Sequence, residues 1–486
     1  MPVQITADIA VVGAGPAGMM AAIAAAEAGG TAAARAHRRV VVLEQLRQPG
    51  AKLLATGGGR CNLTNMLETR DFIRRFGRGA DFIRHAMIDF DSTALREFFR
   101  SLGVETVCED GLAVYPATHS AATVRQALVD RCRQLGVDFL PRTEAKELLL
   151  ENGVVRGLAT LGEQGNGVVE AARVLLAAGG RSYPELGGTG GGYAMARQAG
   201  HRIVEPTPAL VDLKTKETWP RACAGISVRG ARVSIDRPRQ RGPGGTTAPA
   251  PTRGDVLFTH EGVSGPAVLD ISGDAVELLT RCRCRGLSRC LTQATLDSGP
   301  EPEAQHWNDE RGLPQTSRQA TAPRAEVPLR LVLLPGTTVG EWRSRLEEWR
   351  QSHGRRRVAG LVAEHLPARL AATVCELTGI GPEVTAAHID SRQGRALTEA
   401  LVALPLTVIG SGGFDSAMVT RGGVALDEVD GRTMESRLVK GLFFAGEVLD
   451  VDGPCGGFNL QWAFSSGRAA GMSVDAPSGR VFRGRG

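Results

Sequence analysis

The sequence predicts an α/β protein: a Rossmann-like domain assembled from both ends of the chain, with a β-rich and then a helical domain inserted between them. Three observations carry this prediction. The chain opens with an apolar strand (Ile5 to Val12), a glycine turn, a helix (Pro16 to Ala28) and a second apolar strand (Val40 to Glu44), which together make a βαβ unit. From about Pro206 the texture changes to alternating apolar and polar residues broken by turn residues, the period-2 pattern of half-buried strands. From Leu401 strand-like texture returns and runs through Gly441 to Ala445 into another glycine-rich loop, so the last part rejoins the first domain.

Between these landmarks the elements follow from local pattern. Helical periodicity spans Thr69 to Gly77, Ser92 to Leu102, and Ala121 to Leu135, the last stopped by Gly136 as a C-cap. A strand over Arg173 to Ala178 runs straight into Gly179-Gly180, a transition typical of backbone that meets a ligand. In the β-rich part, strands are expected at Ile226 to Ile235 and Asp255 to His260. The tracts Asp236 to Gly254 and Arg281 to Glu326 are polar, lack sustained periodicity and read as mobile loops. Helical patterns resume over Thr338 to Thr378. The expected boundaries are 1–205 and 401–475 for the first domain, 206–336 for the β-rich one, 337–400 for the helical one, and a flexible tail at 476–486.

Composition fits this plan. A chain of 486 residues, 42% of them hydrophobic, can bury a core large enough for two or three domains. The apolar runs at Ile9 to Val12 and Val40 to Leu43 are strand-sized and that at Met19 to Ala28 helix-sized, so no membrane span is expected. The amino terminus lacks the charged and apolar regions of a signal peptide, which reads as a cytoplasmic protein. Nine cysteines are odd in number and scattered; even Cys282, Cys284 and Cys290 lack CxxC spacing and neighbouring histidines, so no metal site is expected. The net charge of +5 is carried almost wholly by arginine, since lysine occurs at five positions. Such a surface can attract nucleic acid. Many arginines cluster in the expected loop and tail (Arg281 to Arg289, Arg480 to Arg485), which favours solvated charge over a nucleic-acid partner. Oligomeric state is not legible.

Three constellations carry chemistry. In Val11-Val12-Gly13-Ala14-Gly15-Pro16-Ala17-Gly18 the glycines permit a tight turn, close approach of a pyrophosphate and close helix–sheet packing, and the helix amino terminus faces the phosphates. Glu44, at the end of the second strand, supplies the carboxylate that accepts hydrogen bonds from ribose hydroxyls. It lies farther from Gly18 than the compact motif expects, and Gly30 to Arg39 reads as the inserted excess. The second constellation runs from Lys52 through Gly57-Gly58-Gly59-Arg60-Cys61-Asn62 to Asn65. The third is Gly446-Glu447-Val448-Leu449-Asp450-Val451-Asp452-Gly453, followed by Gly456-Gly457-Phe458-Asn459-Leu460-Gln461. A strand, a Gly-acidic pair and then a helix can bind ribityl hydroxyls through the carboxylate while the helix amino terminus faces a flavin. With the first turn, this loop favours FAD over a nicotinamide dinucleotide.

These blocks, with Ala178-Gly179-Gly180-Arg181-Ser182-Tyr183-Pro184 and Leu257 to Pro266, resemble the BaiN/RdsA (YhiN-like) family of NAD(P)/FAD-dependent oxidoreductases. The resemblance covers most of the chain except Gly30 to Arg39, the two polar tracts and the tail. It implies a two-dinucleotide-binding FAD domain interrupted by a β-barrel-like domain and a small helical one. It also implies FAD contacts at Gly13, Ala14, Gly15, Gly18, Glu44, Arg60, Cys61, Ala145, Gly179, Gly446, Glu447, Asn459 and Leu460. Two departures stand out: Gly190-Gly191-Gly192 replaces a pattern that usually carries an acidic residue, and Phe458 stands where tyrosine is usual.

The implied activity is transfer of hydride from NAD(P)H, docking transiently, to the flavin N5, and from there to or from an unidentified small organic substrate, such as an enone-like compound or an amine. No second complete GxGxxG unit exists to hold a second nucleotide tightly. Candidate groups for the protein's own chemistry are His260 as proton donor, Tyr183 after the glycine pair, and Cys61 as a redox thiol, each set against a packing or hydrogen-bonding role. Two other classes remain open: an RNA-modifying flavoenzyme reducing uridine to dihydrouridine in ribosomal RNA, and a non-catalytic FAD-binding electron carrier.

Overall fold

A computed structural model describes residues 3–28, 38–236, 249–294 and 325–475, with backbone alone at residue 3 and over 282–294. The chain divides into two units, residues 1–210 with 413–486, and residues 211–412.

The first unit is built on a seven-stranded sheet. Its strands are β1 (Val3–Val12), β2 (Val40–Glu44), β3 (Asp138–Pro141), β4 (Glu144–Glu151), β5 (Val154–Gly162), β6 (Gly165–Leu176) and β7 (Leu442–Phe444). The order is β3-β2-β1-β6-β5-β4, and β7 also pairs with β6. Pairings among β3, β2, β1, β6 and β7 are parallel, whereas β4, β5 and β6 form an antiparallel meander. Ile9 to Val12 and Val40 to Leu43 are almost fully buried, as central strands of a sheet covered on both faces must be.

The first helix (Pro16–Glu27) and the last (Phe458–Met472) pack on each other through their smallest residues. A Cβ placed on Gly467 would stand 2.3 Å from the carbonyl oxygen of Ala17, and one on Gly471 would stand 2.3 Å from that of Ala21. Backbone therefore meets backbone there, which binds the two ends of the chain into one core.

The second unit contains a closed, antiparallel six-stranded barrel. Its strands, in barrel order, are Leu213–Thr215, Gly262–Ser264, Thr252–Phe258, Ser227–Ile235, Val327–Val332 and Leu404–Ser411. Alternate residues such as Val327, Leu329 and Leu331 are buried, which is the inward-facing set of a small barrel. Helices Val339–Ser352, Val358–Val362 and Ala368–Leu377 belong to this same unit.

Three expectations are corrected. The return to the first unit comes at residue 413 rather than 401, because Leu404–Ser411 pairs with Val327–Val332 inside the barrel. The helical segment is not a unit of its own. The expected loop from Arg281 begins instead as helix, since Pro266–Ala294 runs on past Leu278 and Leu279, both buried, and past an ion pair between Glu277 and Arg281. The rest of that tract (295–324), residues 237–248 of the other one, residues 29–37 and the tail from 476 lie outside the described residues. No helix among the described residues is long and apolar enough to cross a membrane.

Candidate functional site

Register places the site. Val12 of β1 lies opposite Leu43 of β2 on one side and Leu176 of β6 on the other, and Phe444 of β7 lies opposite Leu176. Four parallel strands thus end level along one edge of the sheet, the edge at which open α/β sheets bind ligands. The residues just past those ends, Gly13, Gln45, Ala177 and Ala445, all line one cavity, partly open to solvent.

The glycines of the first turn have separate tasks. Gly13 adopts φ 96° with its Cα packed under Ala177, whose carbonyl oxygen would be 2.6 Å from an added Cβ. Gly18 leaves room for the turn itself, since a Cβ there would fall 1.8 Å from the Gly13 oxygen. At Gly15 a Cβ would meet no protein atom within 4 Å, and this residue lines the cavity. No side chain caps the first helix at Gly15, so its leading N–H groups are left for a ligand. The last helix is likewise uncapped at Gly457, and its early residues Asn459, Leu460 and Ala463 line the same cavity. Two electropositive helix ends therefore border one space.

Glu44, at the end of β2, lines the same cavity. Its Oε2 accepts from the Ala14 N–H (3.0 Å) and its Oε1 from the Leu46 N–H (2.8 Å). Burial raises its carboxyl pKa above the ordinary value, with the backbone donors opposing part of that shift. A raised pKa means that Glu44 favours the fold most below its unfolded value and loses that contribution as pH rises through the folded one. The stability difference between the ligand-free wild type and Glu44→Ala should therefore shrink as pH rises across that window. A difference that grows with pH in denaturant titrations would refute the burial effect.

Of the other expected contacts, Ala145, Gly179, Glu447, Asn459 and Leu460 line the cavity. Asn459 turns its amide back on its own loop, accepting from the Gly453 N–H (2.8 Å) and donating to the Gly453 oxygen (2.9 Å). Ala14, Gly18 and Gly446 do not line the cavity; the Gly446 N–H donates to Ser466 Oγ at 2.9 Å. Arg60 does not line the cavity: it is exposed, with its guanidinium 5.0 Å above the Tyr115 ring. Of the two departures, Gly191 and Gly192 line the cavity, and Phe458 is buried against Phe72 with ring centroids 4.5 Å apart, where a hydroxyl is not needed.

Of the three groups proposed for proton or electron chemistry, neither Cys61 nor Tyr183 lines the cavity. Cys61 is fully buried, does not line the cavity, and burial pushes its thiol up to about 12. That environment disfavours the thiolate, the form a redox role needs. Alkylation of the native protein near pH 8 should spare Cys61 while half-exposed Cys108 reacts; equal labelling of both would restore the redox role. Tyr183 is half-buried in the left-handed region (φ 52°), fixed by its N–H donating to the Phe414 oxygen at 3.0 Å, and also does not line the cavity. His260 belongs to the second unit, exposed at the bend after the strand Thr252–Phe258.

Sequence reasoning missed the polar network in the cavity wall. Glu447 Oε1 accepts from Ser182 Oγ (2.8 Å) and the Thr420 N–H (2.9 Å), and Lys52 Nζ donates to Glu447 Oε2 (2.6 Å) and to Ser182 Oγ (2.5 Å). Lys52 begins the second glycine constellation, which was a usable signal. Thr420 lies in a strand, Val419–Val424, whose sequence gives no hint of it.

The chain is similar along nearly its whole length to proteins of one family. The family model for the HI0933-like protein Rossmann domain matches residues 7–473. A 3-dehydro-bile acid delta(4,6)-reductase of Clostridium scindens is 33% identical over 96% of this chain and 98% of its own. A ribosomal RNA dihydrouridine synthase of Escherichia coli is 30% identical, over 96% and 98%. Among solved structures, a flavocytochrome c3 fumarate reductase in its open conformation covers 97% of this chain and 78% of its own, with a TM-score of 0.47 and 16% identity.

Proposed function

The chain belongs to the HI0933-like family, an FAD-binding oxidoreductase family, and from that premise we propose that it reduces a carbon–carbon double bond conjugated with a carbonyl group in a small organic substrate, drawing electrons from NAD(P)H. The observation that carries this reading is one cavity along the strand ends, bordered by two uncapped helix amino termini and the partly buried carboxylate of Glu44.

The residues present fit FAD. Gly15 offers space where any side chain would intrude, and the first helix presents free N–H groups to a pyrophosphate. Glu44 keeps lone pairs for ribose hydroxyls, and Ala145 offers a small apolar wall to the adenine. Gly179, Glu447, Asn459 and Leu460 would border the flavin end. When bound, the flavin supplies the hydride exchange, and the protein supplies position, charge and exclusion of water. Leu43, Leu53, Val419 and Trp462 line the cavity and keep the walls between these polar groups apolar. NAD(P)H docks transiently in this reading, because the sequence offers no second GxGxxG turn.

The substrate class rests on the relatives. The bile acid reductase is named for acting on delta(4,6) double bonds of a 3-dehydro compound, and the E. coli relative for making dihydrouridine in ribosomal RNA. Both names describe saturation of a double bond, and we take the small-molecule acceptor as the reading for this chain because that relative shares more of its sequence.

The test is to release and identify the flavin of the purified protein, then follow its anaerobic reduction by NADH and NADPH before adding a 3-oxo-4,6-diene steroid or ribosomal RNA. FAD is expected, with reduction by one of the nucleotides and reoxidation by the conjugated small molecule. A protein that never binds FAD sinks the proposal. Reoxidation by RNA alone would move it to the RNA-modifying class, and a flavin that cycles with neither acceptor would leave an electron carrier.

A further inference from the structure

Glu447 is expected to face the flavin, and protein groups engage both of its oxygens. Ser182 and Thr420 hold Oε1, and Lys52 holds Oε2. These partners come from three separate stretches: the short helix Ala51–Ala55, the turn after β6, and the strand Val419–Val424. Ser182 and Thr420 are fully buried, and Thr420 Oγ1 in turn accepts from the N–H groups of Arg181 (2.8 Å) and Ser182 (3.2 Å). Gly180 leaves the carboxylate its room on that side, since a Cβ there would stand 2.6 Å from Glu447 Oε1.

Within this knot Lys52 carries the compensating charge. Its side chain is 26% exposed and that of Glu447 21%, so the pair is largely withdrawn from water. Pairs in that condition gain little from attraction alone, but breaking one strands the other charge. Lys52 and Glu447 both line the cavity.

We propose that Lys52 is a positioning residue for the flavin end of the cavity, acting through Glu447 to hold the turn after β7 and the turn after β6 in the arrangement that receives the cofactor. The proposal rests on the FAD reading for its ligand, but the coupling between Lys52 and Glu447 is a property of the protein alone.

The experiment is a double-mutant cycle on the full-length chain with Lys52→Met, Glu447→Gln and both together. Apoprotein of each is titrated with FAD by fluorescence, and each apoprotein is also unfolded in urea. Each single variant is expected to weaken FAD binding about ten- to a hundredfold, with the double variant no weaker than the worse single one. Lys52→Arg, which keeps the cation, should recover most of the affinity. Effects that multiply in the double variant, or a Lys52→Met protein with wild-type affinity, would overturn the proposal. If the wild type binds no FAD, the cofactor reading fails by itself, and the urea midpoints decide the coupling: non-additive midpoints keep the Lys52–Glu447 link, additive ones remove it. Should Lys52→Met not fold, Ser182→Ala removes the bridging hydroxyl with both charges in place, and a loss of FAD affinity smaller than that of Glu447→Gln is expected; no loss counts against the proposal.

Discussion

A Gly15→Ala protein is expected to fold as the wild type does and to lose FAD, whereas Gly18→Ala, three residues on, loses stability as well. At Gly15 the backbone is extended (φ −75°), which alanine adopts freely, and the new methyl group meets no protein atom within 4 Å. Only a ligand lying across the turn feels it. Affinity should fall at least a hundredfold, about 2.7 kcal/mol, with the thermal midpoint of the apoprotein unmoved. At Gly18 the methyl group would fall 1.8 Å from the Gly13 oxygen, so the turn must open. Alanine's better helix propensity returns about 1 kcal/mol, against an overpacking cost of about 3 kcal/mol or more for displaced backbone. Melting curves and flavin content of the two variants test the pair. Full flavin content in Gly15→Ala would mean that the ligand does not cross this turn.

The second large effect is expected far along the chain, at Gly467→Ala. Its Cβ would lie 2.3 Å from the Ala17 oxygen, and helix–helix contact through backbone cannot yield by rotating a side chain. The helices must separate, which costs on the order of 3 kcal/mol. Ala17 and the first turns of the last helix both line the cavity, so flavin retention should fall together with stability. Arg468→Ala, one position on, serves as the control, because Arg468 is only half-buried and lies 4.9 Å over the Phe90 ring. A Gly467→Ala protein as stable as this control would show that the two helices can part at little cost.

How much of this was legible in the sequence depended on distance along the chain. The strand, turn and helix from Ile5 to Ala28 could be read because each constraint on Gly13, Gly15 and Gly18 arises within a few residues. Glu44 was readable from its place at the end of β2. The meander of β4, β5 and β6 was signalled but not read: Asn152 and Gly153, both with positive φ (50° and 74°), sit between β4 and β5 as the Asn-Gly pair of a two-residue hairpin turn. Leu404–Ser411 was assigned to the wrong unit because a strand's own pattern does not tell which sheet it joins. Lys52, Ser182 and Thr420 meet at Glu447 only after the chain has folded, and nothing local marks that meeting. Cys61 drew attention by its place beside three glycines, yet its burial comes from elsewhere in the fold.

The cavity takes its walls from residues as early as Val12 and as late as Ala463, with the whole of 211–412 between them. During synthesis the first glycine turn therefore leaves the ribosome hundreds of residues before the helix that completes its far side. The barrel unit is made in that interval, and the nucleotide's site is complete only when the last helix has emerged and docked against the first. Loading of the cofactor thus becomes a late event in the life of each molecule, and a ribosome that stops before Phe458 releases a chain with half a cradle.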